Sequence, residues 1–177
     1  MPGSVSIRVY AELNDLVSPS QPGEEHVYNL HGKRLIKDLL ESIGIPHTEI
    51  GLIVVDHQPV HFSHTVNGGE HISVYPVFRS IDIPAVASCQ PAAMQNPRFI
   101  LDNHLGKLAA LLRMTGFDTR YRNDYDDREL ADISTRDDRI LLTCDRQLLM
   151  RKQLIHGCFV RSRKPEQQVI EIIQRYD

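Results

Sequence analysis

Between Arg79 and Pro97 the sequence loses its periodicity, and this break decides how the rest of the chain can fold. Pro84, Pro91 and Pro97 stand there among small and polar residues such as Ala85, Ser88 and Gln95. Such a stretch carries neither the alternation of a strand nor the apolar stripe of a helix, and it suits an extended linker. It divides the 177 residues into two patterned segments, each large enough for a small domain. The expected organisation is a domain over 1–80, a linker over 81–96 and a domain over 97–177.

A hydrophobic content of 41% with 24% charged residues is that of an ordinary globular protein with real cores, which excludes a disordered chain. The longest apolar runs, Ile50 to Val55 and Ile140 to Leu142, fall far short of the roughly 18–20 residues of a membrane-spanning helix. The opening Met1-Pro2-Gly3-Ser4 has no basic flank or apolar run of a secretory signal, so a cytoplasmic protein without a membrane partner is expected. Cys89, Cys144 and Cys158 are odd in number and form no Cys-x-x-Cys pair. Neither a disulfide framework nor a zinc site is encoded, and buried free thiols are expected.

The net charge of −3 hides an asymmetry. Residues 1–96 carry 5 Lys+Arg against 10 Asp+Glu, a net of −5, whereas 97–177 carry 15 against 13, a net of +2. A segment rich in both signs suits a cation site beside a phosphate-binding surface, and it equally suits a salt-bridged solvated surface.

In the first segment, Val5 to Tyr10 alternates as a strand, and a second strand over His26 to Leu30 follows a Pro/Gly turn at 18–23. Leu35, Ile36, Leu39, Leu40 and Ile43 share one helical face, closed by Gly44 and Pro46. Strands resume over Ile50 to Val55 and Ile72 to Val77, on either side of Asn67-Gly68-Gly69. This ββαββ order resembles the β-grasp, or ubiquitin-like, fold and especially its sulfur-carrier branch. Sulfur carriers use a C-terminal Gly-Gly tail. Gly68-Gly69 instead precedes a final strand, so carrier chemistry is not expected and a tight turn needing positive φ is.

The second segment alternates short strands (Arg98 to Leu101, Arg139 to Thr143, Gly157 to Arg161, with a short one at Thr119 to Arg122) with helices beginning near Asn103, Arg128, Arg146 and Pro165. That alternation predicts an α/β domain around a mainly parallel sheet. In such a sheet ligands bind at the carboxyl ends of strands, where strand order reverses. Asp102 and Asp145 follow two strands directly, and Asp124-Tyr125-Asp126-Asp127 occupies a loop before a helix. Clustered carboxylates repel and are offset by protonation or a cation, for which Mg²⁺ or Mn²⁺ is the natural partner. Asp102, Asp126 or Asp127, and Asp145 also directly precede helices, where Asp is a favoured N-cap, so position alone favours capping over cation binding. Within the acidic loop Asp126 is the better cap, because Glu129 lies three residues on and completes a capping box. Asp118, Asp132, Asp137 and Asp138 read as solvated charges or turn residues.

Phe99-Ile100-Leu101-Asp102, Leu105 to Ala109, Leu111 to Met114, Gly116-Phe117-Asp118, Asp127 to Leu130, Arg139 to Arg146 and Leu148-Leu149 together resemble the PIN-like ribonuclease domain of the Mut-seven C-terminal type. The resemblance implies an α/β PIN-like fold, a ubiquitin-like domain in front of it, and RNA as the substrate, tRNA or another structured RNA included. It also implies that Asp102, Asp127 and Asp145 hold Mg²⁺ or Mn²⁺ as the catalytic and metal-site carboxylates, with Thr143 in the signature that presents Asp145. Such a site hydrolyses phosphodiesters through an activated water. Relatives often carry Arg before the last aspartate, where this chain has Cys144, and often extend into a cysteine-bearing zinc ribbon; no cysteine follows Cys158 here.

Candidate RNA ligands are Lys107 and Arg113, six apart on the first helix, and Arg122 and Arg146 near the acidic cluster. His104 reads as a helix-surface histidine or an RNA contact. Arg151-Lys152 and Arg161 to Lys164 could track an RNA backbone, and Tyr121 and Tyr125 are the nearby aromatics available to stack on a base. Two rivals stand beside the ribonuclease: a non-catalytic RNA-binding or adaptor module, and a toxin-like nuclease restrained or docked to a protein partner by its N-terminal domain.

Overall fold

Val5, Ile7 and Val9, alternating along the first strand, are all buried, so one face of that strand belongs to a core. The computed structural model describes residues 3–17, 24–77, 84, 87–91 and 94–176, in two units, 1–92 and 93–177. The first unit contains β1 (Gly3–Val9), β2 (Glu25–Leu30), β3 (Arg34–Leu35), α1 (Ile36–Ser42), β4 (Ile50–Val55), β5 (Gln58–Val60), β6 (Thr65–Val66) and β7 (His71–Pro76). Five of these strands form one mixed sheet in the order β2-β1-β7-β4-β5, with β1 antiparallel to β2 and parallel to β7. The expected amphipathic helix buries Ile36, Leu39 and Leu40. This is the ubiquitin-like architecture.

Three short elements were not anticipated: β5, the β3–β6 pair, and a 3-10 turn over Ala11–Leu16 that buries Leu13 and Leu16. The turn expected at 18–23 lies outside the described residues. Gly68 and Gly69 adopt φ of +112° and +91°, as a tight turn before β7 requires.

Part of the expected linker, residues 81–83, 85–86 and 92–93, also lies outside the described residues, but 87–91 departs from a free extended tether. The Cys89 N–H donates to the Gly51 carbonyl at 2.8 Å, and the Gln90 side-chain amide donates to the His47 and Ile50 carbonyls at 2.8 and 2.7 Å. Carbonyls at the start of β4 need donors, and this short strap supplies them.

The second unit contains β8 (Phe99–Leu101), α2 (Gly106–Met114), β9 (Thr119–Arg120), α3 (Asp127–Arg136), β10 (Ile140–Thr143), α4 (Arg146–Leu149), β11 (Gly157–Phe159) and α5 (Pro165–Tyr176). Its four strands are all parallel, in the order β11-β10-β8-β9. Alternation along the central strands feeds two cores. Phe99, Leu101, Ile140 and Leu142 join Leu108 and Leu112 of α2 and Ile172 of α5, while Ile100 and Leu141 join residues of α3 and α4. Helices therefore cover both faces, as a parallel sheet demands. Among the described residues, no helix is long and apolar enough to cross a membrane.

Candidate functional site

The chain runs from β8 outward to β9 and then returns across β8 to β10, so strand order reverses between β8 and β10. Ligands of such sheets bind in the crevice at that reversal, beyond the carboxyl ends of the strands. The register pairs Ile100 with Leu141 and Leu101 with Leu142, which carries Asp102 alongside Thr143. Backbone pairing continues there: the Asp102 N–H donates to the Leu142 carbonyl at 3.1 Å. The period of two along each strand turns Asp102 and Thr143 toward the face of Ile100 and Leu141, the face covered by α3 and α4.

Thr143 is fully buried, and its hydroxyl joins the two strand ends. It donates to Asp102 Oδ2 at 2.7 Å and accepts the Asp145 N–H at 2.9 Å. One hydroxyl thus fixes both Asp102 and the backbone that carries Asp145. This bridge needs the register, which sequence spacing does not give, so only the presentation of Asp145 was legible beforehand. Asp102 is 9% exposed, and its Oδ1 receives only long contacts of 3.3–3.4 Å from the His104 ring and backbone nitrogens. The His104 ring itself is open to solvent. Asp145 is exposed and accepts the Gln147 N–H at 2.8 Å as the N-cap of α4. Both strand-end aspartates therefore serve as caps while keeping a carboxylate edge at the crevice.

Asp126 and Asp127 separate as the capping-box spacing predicts. Asp126 Oδ1 accepts the Glu129 N–H at 2.8 Å, and the Glu129 carboxylate accepts the Asp126 N–H at 3.1 Å. Asp127 is left out of the cap. Its Oδ2 meets Arg151 Nη2 at 3.4 Å, on the wall of a cleft of about 560 Å³ that Asn103, the neighbour of Asp102, also lines. Among the described residues, no group of three or more His, Cys, Asp or Glu side chains is close enough to hold a metal ion. Asp102 and Asp145 are thus joined through Thr143, whereas Asp127 meets Arg151 and, among the described residues, shares no hydrogen bond with either strand-end aspartate.

The basic candidates are not gathered into one surface. Lys107 and Arg113, six apart on a helix of 3.6 residues per turn, lie on different faces. Lys107 is exposed, whereas Arg113 Nε donates to the Thr119 carbonyl at 3.0 Å and ties α2 to β9. Arg122 is paired with Asp124 and lies 5.0 Å above the Tyr125 ring. That pairing holds the Asp124 carboxyl below the usual carboxylate range. Arg146 is exposed at the first position of α4.

Tyr125 is closed to a stacking base, and Tyr121 is partly exposed with its hydroxyl engaged. Tyr125 is 5% exposed and its hydroxyl accepts from Arg120 Nε. Tyr121 donates its hydroxyl proton to the Asn103 carbonyl at 2.8 Å and presses on Gly106, where any Cβ would meet the tyrosine oxygen at 2.7 Å. Gly106 opens α2 because that ring leaves no room for a side chain. Asp118 is also more than a solvated charge. It takes both terminal nitrogens of the half-buried Arg139, at 2.9 and 3.0 Å, and Arg139 holds its carboxyl below the usual range.

The cysteines are free, but only Cys158 is buried; Cys89 is half-buried and Cys144 is exposed. Partial desolvation, with Asp102 and Glu171 nearby, pushes the Cys144 thiol up, so it remains protonated and chemically quiet beside Asp145.

The second unit is thus a parallel α/β domain with carboxylates at its topological switch point, and it follows a ubiquitin-like unit in the chain. Residues 97–177 match the family model of the Mut7-C RNAse domain and residues 3–82 that of the Mut7-C ubiquitin domain, so the chain carries a Mut7-C RNAse domain preceded by a Mut7-C ubiquitin-like domain. Neither the curated proteins nor the solved structures include a match to this chain.

Proposed function

We propose that the chain is a Mg²⁺- or Mn²⁺-dependent ribonuclease that hydrolyses RNA phosphodiesters at the strand-end crevice. The observation that carries the proposal is the Thr143 hydroxyl, which bonds Asp102 and the Asp145 backbone together at the switch point. The donor set suits such an ion. Asp102 and Asp145 offer hard carboxylate oxygens with no lysine or arginine paired to either among the described residues. Mg²⁺ commonly binds through one or two carboxylates and keeps several waters. Asp102 and Asp145 would hold the ion, with Asp127 as the third ligand. When bound, the ion supplies an activated water and offsets charge developing on the phosphate.

The remaining work falls to this chain's own side chains. Thr143 orients Asp102, the α4 cap orients Asp145, and Lys107 is an exposed cation offered to the RNA backbone, with Arg146 exposed next to Asp145. Arg113 and Arg122 act instead through the elements they brace. That no three such side chains among the described residues lie close enough to hold a metal ion favours one rival, a non-catalytic RNA-binding module. Incubating the full chain with total cellular RNA, with Mn²⁺ or with EDTA, and mapping new ends decides between them. New ends that require Mn²⁺ are expected; RNA left intact under both conditions would refute the ribonuclease.

A further inference from the structure

The cleft beside α3 carries opposite charges that do not satisfy one another well. Among its acids, Asp124 is engaged by Arg122 and Asp126 by the capping box, which leaves Asp127 facing Arg151. Their single contact of 3.4 Å is long for a charge-assisted bond, normally about 2.7–2.9 Å. Both side chains are about half exposed, so the pair contributes little on its own. Arg128, on the same wall, is 84% exposed and meets Asp132 only at 3.9 Å. Two weakly committed guanidinium groups thus line a shallow cleft that lies open to solvent. Guanidinium forks bind phosphate bidentately, a better partner than one distant carboxylate oxygen. Tyr125 lies beneath the cleft, with its ring covered and no face for a base, so recognition there is of the backbone.

We propose that this cleft is a phosphate subsite for a single RNA strand, in which Arg151 leaves Asp127 to bind a phosphodiester and thereby frees Asp127. The ligand's name rests on the ribonuclease reading; the exchange of partners rests on the cleft. It also accounts for the pairing of Asp127 with Arg151 in the free protein. Substrate and cation then bind cooperatively, because each favours an Asp127 released from Arg151.

The test is equilibrium binding of a fluorescein-labelled ten-nucleotide single-stranded RNA to the full chain in EDTA, where no cleavage occurs. Arg151→Ala should weaken binding about ten-fold, the equivalent of a charge-assisted bond, and lower the salt slope by about one. Arg151→Lys should restore the slope but only part of the affinity, because the charge returns without the fork. Asp127→Asn should tighten binding in the wild-type background and not in Arg151→Ala. Unchanged affinity and slope in Arg151→Ala overturn the subsite, as does equal tightening by Asp127→Asn in both backgrounds. If Arg151→Ala fails to fold, the comparison of Arg151→Lys with wild type decides in the same way. A chain that binds through Arg151 yet leaves RNA uncut with Mn²⁺ overturns the ribonuclease and leaves the subsite standing. Cleavage indifferent to Arg151 does the reverse.

Discussion

Replacing Thr143 with valine removes one hydroxyl at nearly constant shape, and so isolates the bond at the centre of the strand-end site. That hydroxyl is fully buried, donates to Asp102 at 2.7 Å and accepts from the Asp145 N–H at 2.9 Å. A hydrogen bond to a charged group contributes roughly 1.5–3 kcal/mol, and a deserted, partly buried N–H costs about 1 kcal/mol more. The expected destabilisation is therefore about 2.5–4 kcal/mol, a large share of the roughly 5–15 kcal/mol that holds a domain folded. Because the chain has two units, bulk unfolding would blur the effect, and native-state amide exchange localises it. The amides to follow are those of Asp102 and Val160, which donate to the Leu142 and Thr143 carbonyls. Their exchange should accelerate by roughly two to three orders of magnitude in Thr143→Val and return most of the way in Thr143→Ser. Wild-type protection in the valine variant would refute the bridging role assigned to the hydroxyl.

Mn²⁺ should raise the melting temperature of the wild type but of neither Asp102→Asn nor Asp145→Asn; equal shifts in all three would remove the cation from the account. Asp126→Asn should leave stability and cleavage largely intact, since Asn caps nearly as well as Asp, whereas Asp127→Asn should lower cleavage by orders of magnitude without loss of metal-free stability. The opposite pattern would exchange the two residues' roles. Burial pushes the Cys89 thiol up to about 11, while in the unfolded chain it ionises near its ordinary 9.0. Between those values the unfolded state binds fewer protons, so stability falls as pH rises through that window. Cys89→Ala should flatten that alkaline limb, and an unchanged limb would contradict the burial of the strap.

Where a pattern is local, the sequence announced it. The spacing of Asp126 and Glu129 placed the α3 cap, and the alternation of strands with helices in the second unit placed a parallel sheet with Asp102 and Asp145 at the carboxyl ends of two strands. The two-residue strands β3 and β6 carry no period long enough to read, and β5 contains Pro59. Long-range partners were hidden for a different reason. The hydroxyl linking Thr143 to Asp102 spans 41 residues, and Arg151 reaches Asp127 across 24, so both depend on sheet register and helix placement. Tyr125 looked available because acids surround it in sequence, yet Arg120 and Arg122 close over its hydroxyl and its ring. Arg113 resembled a phosphate ligand, but the nearby Thr119 carbonyl claims its guanidinium.

The central claim is that the strand-end carboxylates cut RNA. Single-turnover cleavage of a 5′-labelled RNA by the full chain in Mn²⁺, compared with Asp102→Asn and Asp145→Asn, tests it most directly. Loss of a cation ligand should remove several kcal/mol of transition-state stabilisation, a fall of more than about 100-fold, while RNA affinity in EDTA stays within a few-fold of wild type. Wild-type rates in both variants, or no cleavage by the wild type in Mn²⁺, would contradict the account.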